Sequence, residues 1–275
     1  MFKNLELTFK KGTVLTKEML EELQAFPKDS LDILYDRYPD GILAGTDLTE
    51  KEAENGKNII YIKKGLIKYK DCIYRMTEDI NLTEQIDQWI DQGIVEEQTS
   101  YQLVFTPKEQ EFLEGRSTQI LYSLQLKVFP KSEKAEGIIF AQFKLLDKGE
   151  VALFHEVDME DISRPAYWNM TECHYACKEG VTYHPYNFEM IKRKLLSKKR
   201  RSPLDYIILN QITMTGMLSF KFMELILNDN QIKTCCENRE TVLRDFLAVL
   251  MKEAEAQEES DNGKIRKKEE GRLLP

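Results

Sequence analysis

The chain has 275 residues, 42% of them hydrophobic and 31% charged; 39 Lys and Arg stand against 47 Asp and Glu, a formal charge of −8. This balance describes a folded chain of one large or two smaller domains, and it excludes collagen-like, disulfide-scaffold and wholly disordered classes. A net acid does not bind nucleic acid over its whole surface, so such a role requires a local basic patch.

The chain opens with two expected short helices. Thr16 is placed to cap the first, which carries Met19, Leu20 and Leu23 and ends before Pro27. Ser30 is placed to cap the second, with Leu31, Ile33 and Leu34, which stops at Pro39-Asp40-Gly41. Gly41–Gly45 is short, apolar and bracketed by glycine, and a charged loop is expected over Thr49–Lys57. Three strand-like runs follow, 58–62, 66–69 and 72–76, separated by Lys63-Lys64-Gly65 and Lys70-Asp71. Lys68 and Lys70 alternate against Ile67 and Tyr69, the period of a half-buried strand, and together the runs read as a β-meander.

A helix is expected over 82–90, capped by Thr83, with Ile86, Trp89 and Ile90 on one face. Residues 101–105 read as a strand ending at Pro107. The clearest strand is 118–129, where Ile120, Tyr122, Leu124, Leu126 and Val128 alternate; its expected hairpin partner is 137–146, across Lys131–Glu136. One more strand is expected over 151–155. Beyond about residue 160 the pattern becomes helical. Pro185 opens a helix with Phe188, Ile191 and Leu195, and Ser202-Pro203 opens another with Leu204, Ile207, Ile208 and Ile212, ended by Gly216. Ser219 caps a third with Phe222, Met223 and Ile226, closed by Asn228-Asp229-Asn230. A last helix over 239–256 carries Val242, Leu243, Phe246, Leu247, Leu250, Met251 and Ala254 as one stripe. The charged residues 257–275 are expected to be a disordered tail.

No run of about 18 apolar residues occurs, so no membrane-spanning helix is expected, and the N-terminus lacks the basic-then-apolar pattern of a secretory signal. Five cysteines (Cys72, Cys173, Cys177, Cys235 and Cys236), odd in number and with one adjacent pair, speak against a disulfide framework. The expected location is the cytoplasm, or a particle assembled there.

Each candidate chemistry in the sequence has a plainer reading beside it. Cys173, His174, Cys177 and His184 form the densest set of zinc-ligand types, with Cys235-Cys236 as a remote supplement. Their Cys-x-x-x-Cys spacing lacks the paired knuckle of structural zinc sites, and ordinary buried thiols are the plainer account. The run His155-Glu156-x-Asp158 has the residue types of a catalytic group but no Gly-x-Ser-x-Gly nucleophile beside it; it reads as a strand end with solvated acids. Phosphate-cradling glycine loops are absent from the sequence, so no nucleotide or dinucleotide cofactor is expected. The basic run Lys192-Arg193-Lys194 … Lys198-Lys199-Arg200-Arg201 is the one patch suited to a phosphate backbone, and the helix pair after it has the order of a helix-turn-helix. The second helix of that pair is mostly bulky and apolar instead of rich in base-reading side chains, and cations at a helix C-terminus also oppose its dipole.

Tyr38-Pro39-Asp40-Gly41-Ile42-Leu43-Ala44-Gly45, followed after a variable loop by Ile59–Tyr74, resembles the N-terminal β-module of phage tail-fibre and baseplate proteins and components of contractile injection particles. The resemblance covers residues 38–76. It implies a short adaptor or baseplate-associated part and carries over no catalytic residue; the helical second half has no counterpart in it.

These readings give an α+β protein: a β-rich module over 1–158 with short helices, a helical module over 159–256, and the tail. The expected function is a non-enzymatic structural or assembly protein of phage-tail or baseplate type, without cofactor, whose partners are other protein subunits, copies of itself included. The alternative is a nucleic-acid-associated protein using Lys198, Lys199, Arg200 and Arg201; a zinc-containing protein is the third reading.

Overall fold

The computed structural model describes residues 16–52, 58–96, 99–114, 117–144, 168–178, 180–232 and 239–251. The chain divides into two compact units, Met1–Arg37 and Tyr38–Pro275. In the first, a single helix α1 (Lys17–Tyr35) starts at Thr16, whose hydroxyl accepts the Met19 N–H at 3.3 Å. Pro27 does not divide it, contrary to the two expected helices. Proline removes one backbone donor, and the helix continues through that loss. Ser30 lies inside the helix and donates its hydroxyl to the Phe26 carbonyl at 2.7 Å instead of capping a new one.

The second unit is α+β, with antiparallel sheets in its first part and helices in its last. Its opening strands are β1 (Gly41–Gly45), β2 (Leu48–Glu52), β3 (Asn58–Ile62), β4 (Gly65–Tyr69), β5 (Cys72–Arg75) and β6 (Ile80–Asn81). They do not form the expected meander. β4 pairs with β1 and β5, whereas β3 pairs with β2 and β6 in another sheet. The stretch expected as a charged loop contributes β2; residues 53–57 lie outside the described ones. The two sheets are nonetheless halves of one bent ribbon. Gly45 faces Gly65 and Leu48 faces Ile62 in the same register. Between them Thr46 N–H reaches Lys64 O at 3.2 Å and Lys63 N–H reaches Asp47 O at 2.9 Å. Gly45 has φ +70°, and a Cβ on it would strike the Lys64 carbonyl; a Cβ on Gly65 would lie 2.7 Å from Ala44 O. The ribbon bends where two glycines meet because side chains there have no room.

The turn Lys70-Asp71 forms as expected, with φ of 49° and 60°, so both central residues adopt the left-handed conformation of a type I′ turn. Lys68 does not follow the alternation into solvent. It is buried, and its ammonium donates to Tyr38 O at 2.9 Å.

Helix α2 (Leu82–Asp91) begins one residue earlier than its expected cap. Asn81 accepts the Glu84 N–H, and Thr83 instead accepts the Ile60 N–H at 2.9 Å, fastening the helix to β3. Next come β7 (Ser100–Glu114), β8 (Ser117–Pro130) and β9 (Ile138–Lys144). β7 passes through Pro107, and β8 turns back along it from Glu114↔Ser117 to Tyr101↔Pro130. The expected 118–129/137–146 hairpin is absent: β9 pairs with the opposite edge of β7, over Ser100–Phe105 only. The connection is long enough to cross the end of β7, and it is tied there by Lys131 N–H to Ser100 O (2.9 Å) and Gln102 Nε2 to Glu133 O (2.6 Å). Pro107 lies beyond the last residue paired to β9, so its missing N–H breaks no bond on that side. The expected strand 151–155 and the tail 257–275 lie outside the described residues.

Strands continue past residue 158. β10 (Trp168–Asn169) extends the β7–β9 sheet, and β11 (Tyr175–Cys177) lies parallel to β1 with β12 (Gly180–Thr182) on its outer side. The three sheets and α2 bury one core through Ile42, Ile62, Leu82, Ile86, Leu103 and Phe140.

Four helices follow: α3 (Pro185–Ser197), α4 (Pro203–Thr215), α5 (Phe220–Asp229) and α6 (residues 239–251). Their starts are those the sequence signals: Pro185, Ser202-Pro203 with an Asp205 capping box, and Ser219. They build a second core around Phe188, Ile191, Leu195, Ile208, Met223 and Phe246.

Candidate functional site

The basic run occupies the C-terminal end of α3 and its link to α4, and the fold uses its members differently. The Lys198 ammonium lies 2.8 Å from Asp205 Oδ1 and donates to Leu250 O at 2.7 Å; the two side chains are only 4% and 1% exposed. Asp205 Oδ2 also accepts the Ser202 N–H at 2.8 Å, and Ser202 Oγ accepts the Asp205 N–H at 3.2 Å. Lys198 therefore joins the start of α4 to the end of α6. Arg201 donates Nε to Leu195 O at 2.9 Å and Nη2 to Leu196 O, satisfying carbonyls that the end of α3 leaves open. Lys199 and Arg200 are exposed. Of the four residues expected at a phosphate backbone, Lys198 and Arg201 are thus bonded within their own chain.

Next to these cations, α4 carries apolar side chains on the side away from its core. Ile208 and Ile212 are buried as expected, but Ile207 is not; Tyr206, Ile207 and Met214 are 59%, 55% and 77% exposed. These positions fall within one helical stripe. Apolar side chains lie on more than one side of α4, and such a pattern does not tell a core face from a docking face. α5 buries Phe220, Met223, Ile226 and Leu227, so as the second helix of the pair it turns its apolar side inward.

The zinc-ligand types are dispersed. Among the described residues no three His, Cys, Asp or Glu side chains converge on a metal-sized site; Cys235 and Cys236 lie outside those residues, as do His155, Glu156 and Asp158. Cys173 is fully buried, and burial pushes its thiol up to about 12, against the opposing charge of Arg239. A thiol held in that state is a core side chain, not a nucleophile. His174 bonds to β9 through backbone and side chain: its N–H donates to Ile139 O at 2.8 Å, and its Nδ1 accepts the Ile139 N–H at 3.3 Å. His184 caps α3, its Nδ1 accepting the Tyr186 N–H at 3.1 Å. Burial holds both imidazoles down to about 4, so both are neutral near pH 7. Asp47 stands 3.7 Å from His184 Nε2 and pulls weakly the other way.

A further buried cation was not foreseen. Arg239, at the start of α6, stacks 5.0 Å over the Tyr183 ring and donates Nη2 to Thr182 O, while the Tyr183 hydroxyl donates to Arg239 O at 2.6 Å. Thr182 also donates its hydroxyl to Leu218 O. Strand β12 is thus stitched to α6 and to the start of α5. An arginine before an amphipathic stripe gives no sequence signal that distinguishes it from a solvated one.

No protein-family model matches the chain, and no curated protein matches it. Among solved structures, the chain is similar to one from the TssK–TssF–TssG baseplate subcomplex of the type VI secretion system, at 7% identity and TM-score 0.34, covering 92% of this chain and 100% of that one. It is also similar to TssK in its crystal structure (9%, TM-score 0.32, covering 91% and 69%) and to a chain of the type VI baseplate complex (8%, TM-score 0.32, covering 90% and 99%). Likenesses of this degree assign neither a family nor a function. Among the described residues, no helix is long and apolar enough to cross a membrane.

Proposed function

We propose that the protein is a non-enzymatic assembly subunit that docks onto other protein chains as part of a larger particle, of the tail or baseplate type that residues 38–76 resemble. The observation that carries this reading is the outer stripe of α4. Tyr206, Ile207 and Met214 expose apolar surface on a helix whose inner face is already satisfied. A grouped apolar face of this kind is a protein-contact feature. Lys199 is exposed just ahead of α4 in the chain, so the fitting partner is a subunit with an apolar ridge flanked by an acidic residue. The buried, neutral states of Cys173, His174 and His184 accord with scaffold duties for those groups.

The test is light scattering on size-exclusion chromatography of the full chain, alone and mixed with the purified products of neighbouring genes. The wild type is expected to form a defined complex, and the I207D/M214D variant, folded by circular dichroism, is expected to lose it. A wild type that stays monomeric in every mixture, or a variant that assembles unchanged, refutes the proposal.

A further inference from the structure

The bend between β1–β2 and β3–β4 leaves a groove of about 470 Å³ beside it. That volume lies within the roughly 300–1,000 Å³ range of small-ligand sites. The groove exists because the ribbon turns at Gly45 and Gly65, where no side chain fills the inner angle. Ala44, Leu66 and Arg75 lie in one row across β1, β4 and β5, because Ala44 pairs with Leu66 and Leu66 with Arg75. Paired residues share a face, and that face is the one turned away from Ile42 and Ile67 in the core. Met76 adds further apolar surface, and Lys64 and Thr77 complete the lining.

The side chains lining the groove carry positive charge only, with the Asp79 charge acting on Lys64 from outside that lining. Among the described residues no carboxylate pairs with the Lys64 ammonium or the Arg75 guanidinium. The nearby acid, Asp79, is occupied: it accepts from the Lys63 ammonium at 2.6 Å and from the Lys64 N–H at 3.0 Å. Those two bonds hold its carboxyl below the usual range, so it stays a paired anion. Two cations over an apolar floor complement an anion that carries a short hydrocarbon body.

We propose that this groove binds a small carboxylate with a short apolar chain, its head group against Arg75 and Lys64 and its chain over Ala44, Leu66 and Met76. The assignment is independent of the docking role of α4.

The probe is hexanoate, titrated into the isotope-labelled full chain at constant ionic strength and followed by amide chemical shifts. Inorganic phosphate and hexanamide serve as controls for charge alone and chain alone. Saturable binding in the millimolar range is expected, with shifts centred on Gly65, Leu66 and Met76. R75Q is expected to weaken binding at least fivefold, and A44L, which fills the floor from an exposed position, to abolish it while the amide spectrum stays folded. Absence of saturable binding, equal binding of phosphate or hexanamide, or unchanged affinity in both variants overturns the assignment.

Discussion

Lys198 and Asp205 form an ion pair enclosed by the helices they connect, with the lysine also bonded to the last described turn of α6 through Leu250 O. Deleting one member of a buried pair leaves the other charge uncompensated, at a cost of about 3–5 kcal/mol. K198A is therefore expected to lower the unfolding free energy by that amount in urea titrations, whereas K199A, at an exposed neighbour, stays within about 0.5 kcal/mol of the parent. Equal effects of the two substitutions would show that the enclosed pair is not a structural tie.

His184 makes stability depend on pH in one direction. Burial holds its folded pKa at about 4 against an ordinary 6.5. The unfolded chain thus takes up a proton first as pH falls. Its contribution is complete above about pH 6.5 and is lost progressively down to about pH 4, a change of order 3 kcal/mol. His174 behaves alike. H184N keeps an acceptor for the Tyr186 N–H and removes the titration. Its unfolding free energy, measured by urea at steps between pH 7 and 4, is expected to fall about half as steeply as that of the parent; an unchanged slope contradicts the assignment.

Gly45 and Gly93 test conformation against contact. Both have left-handed backbone, at φ +70° and +67°, but a Cβ on Gly93 meets nothing within 4 Å, whereas one on Gly45 runs into Lys64. G93A is expected to cost about 1 kcal/mol, for backbone strain alone, and G45A at least about 2 kcal/mol more. Thermal unfolding of the two variants gives the comparison directly.

The Lys70-Asp71 turn is open to improvement. Asp71 sits at φ +60° with its side chain 99% exposed and only a 4.0 Å approach to Lys68. Glycine relieves that conformation, so D71G is expected to stabilise by about 1 kcal/mol. The Lys70–Glu136 pair at 2.7 Å is left in place. A loss of stability would mean that the Asp71 carboxylate holds the turn.

The sequence showed local grammar well and pairing poorly. Thr16, Ser202-Pro203, Ser219 and Gly216 mark helix ends because capping is decided within a few residues. The partners of β3 and β9 were misassigned, because strand order depends on where a connection can cross, as Lys131–Gly137 crosses the end of β7. Burial was legible where periodicity was clean, as for Ile86 and Leu195. It was not legible for Lys68, Lys198 and Arg239, each of which is buried because a backbone carbonyl from a distant segment, such as Tyr38, Leu250 or Thr182, meets it. The basic run shows the same limit: composition reports seven cations in it, and only the fold shows that Lys198 and Arg201 are bonded to a carboxylate and carbonyls of their own chain.

The bent ribbon also constrains how the molecule can come apart. Because β1–β2 and β3–β4 form a single hydrogen-bonded ladder shared by two sheets, neither sheet can fray from that side without breaking the other's register. The amides of Thr46 and Lys63 at the elbow belong to one cooperative block, and native-state hydrogen exchange would find them opening together, at the free energy of the whole β region.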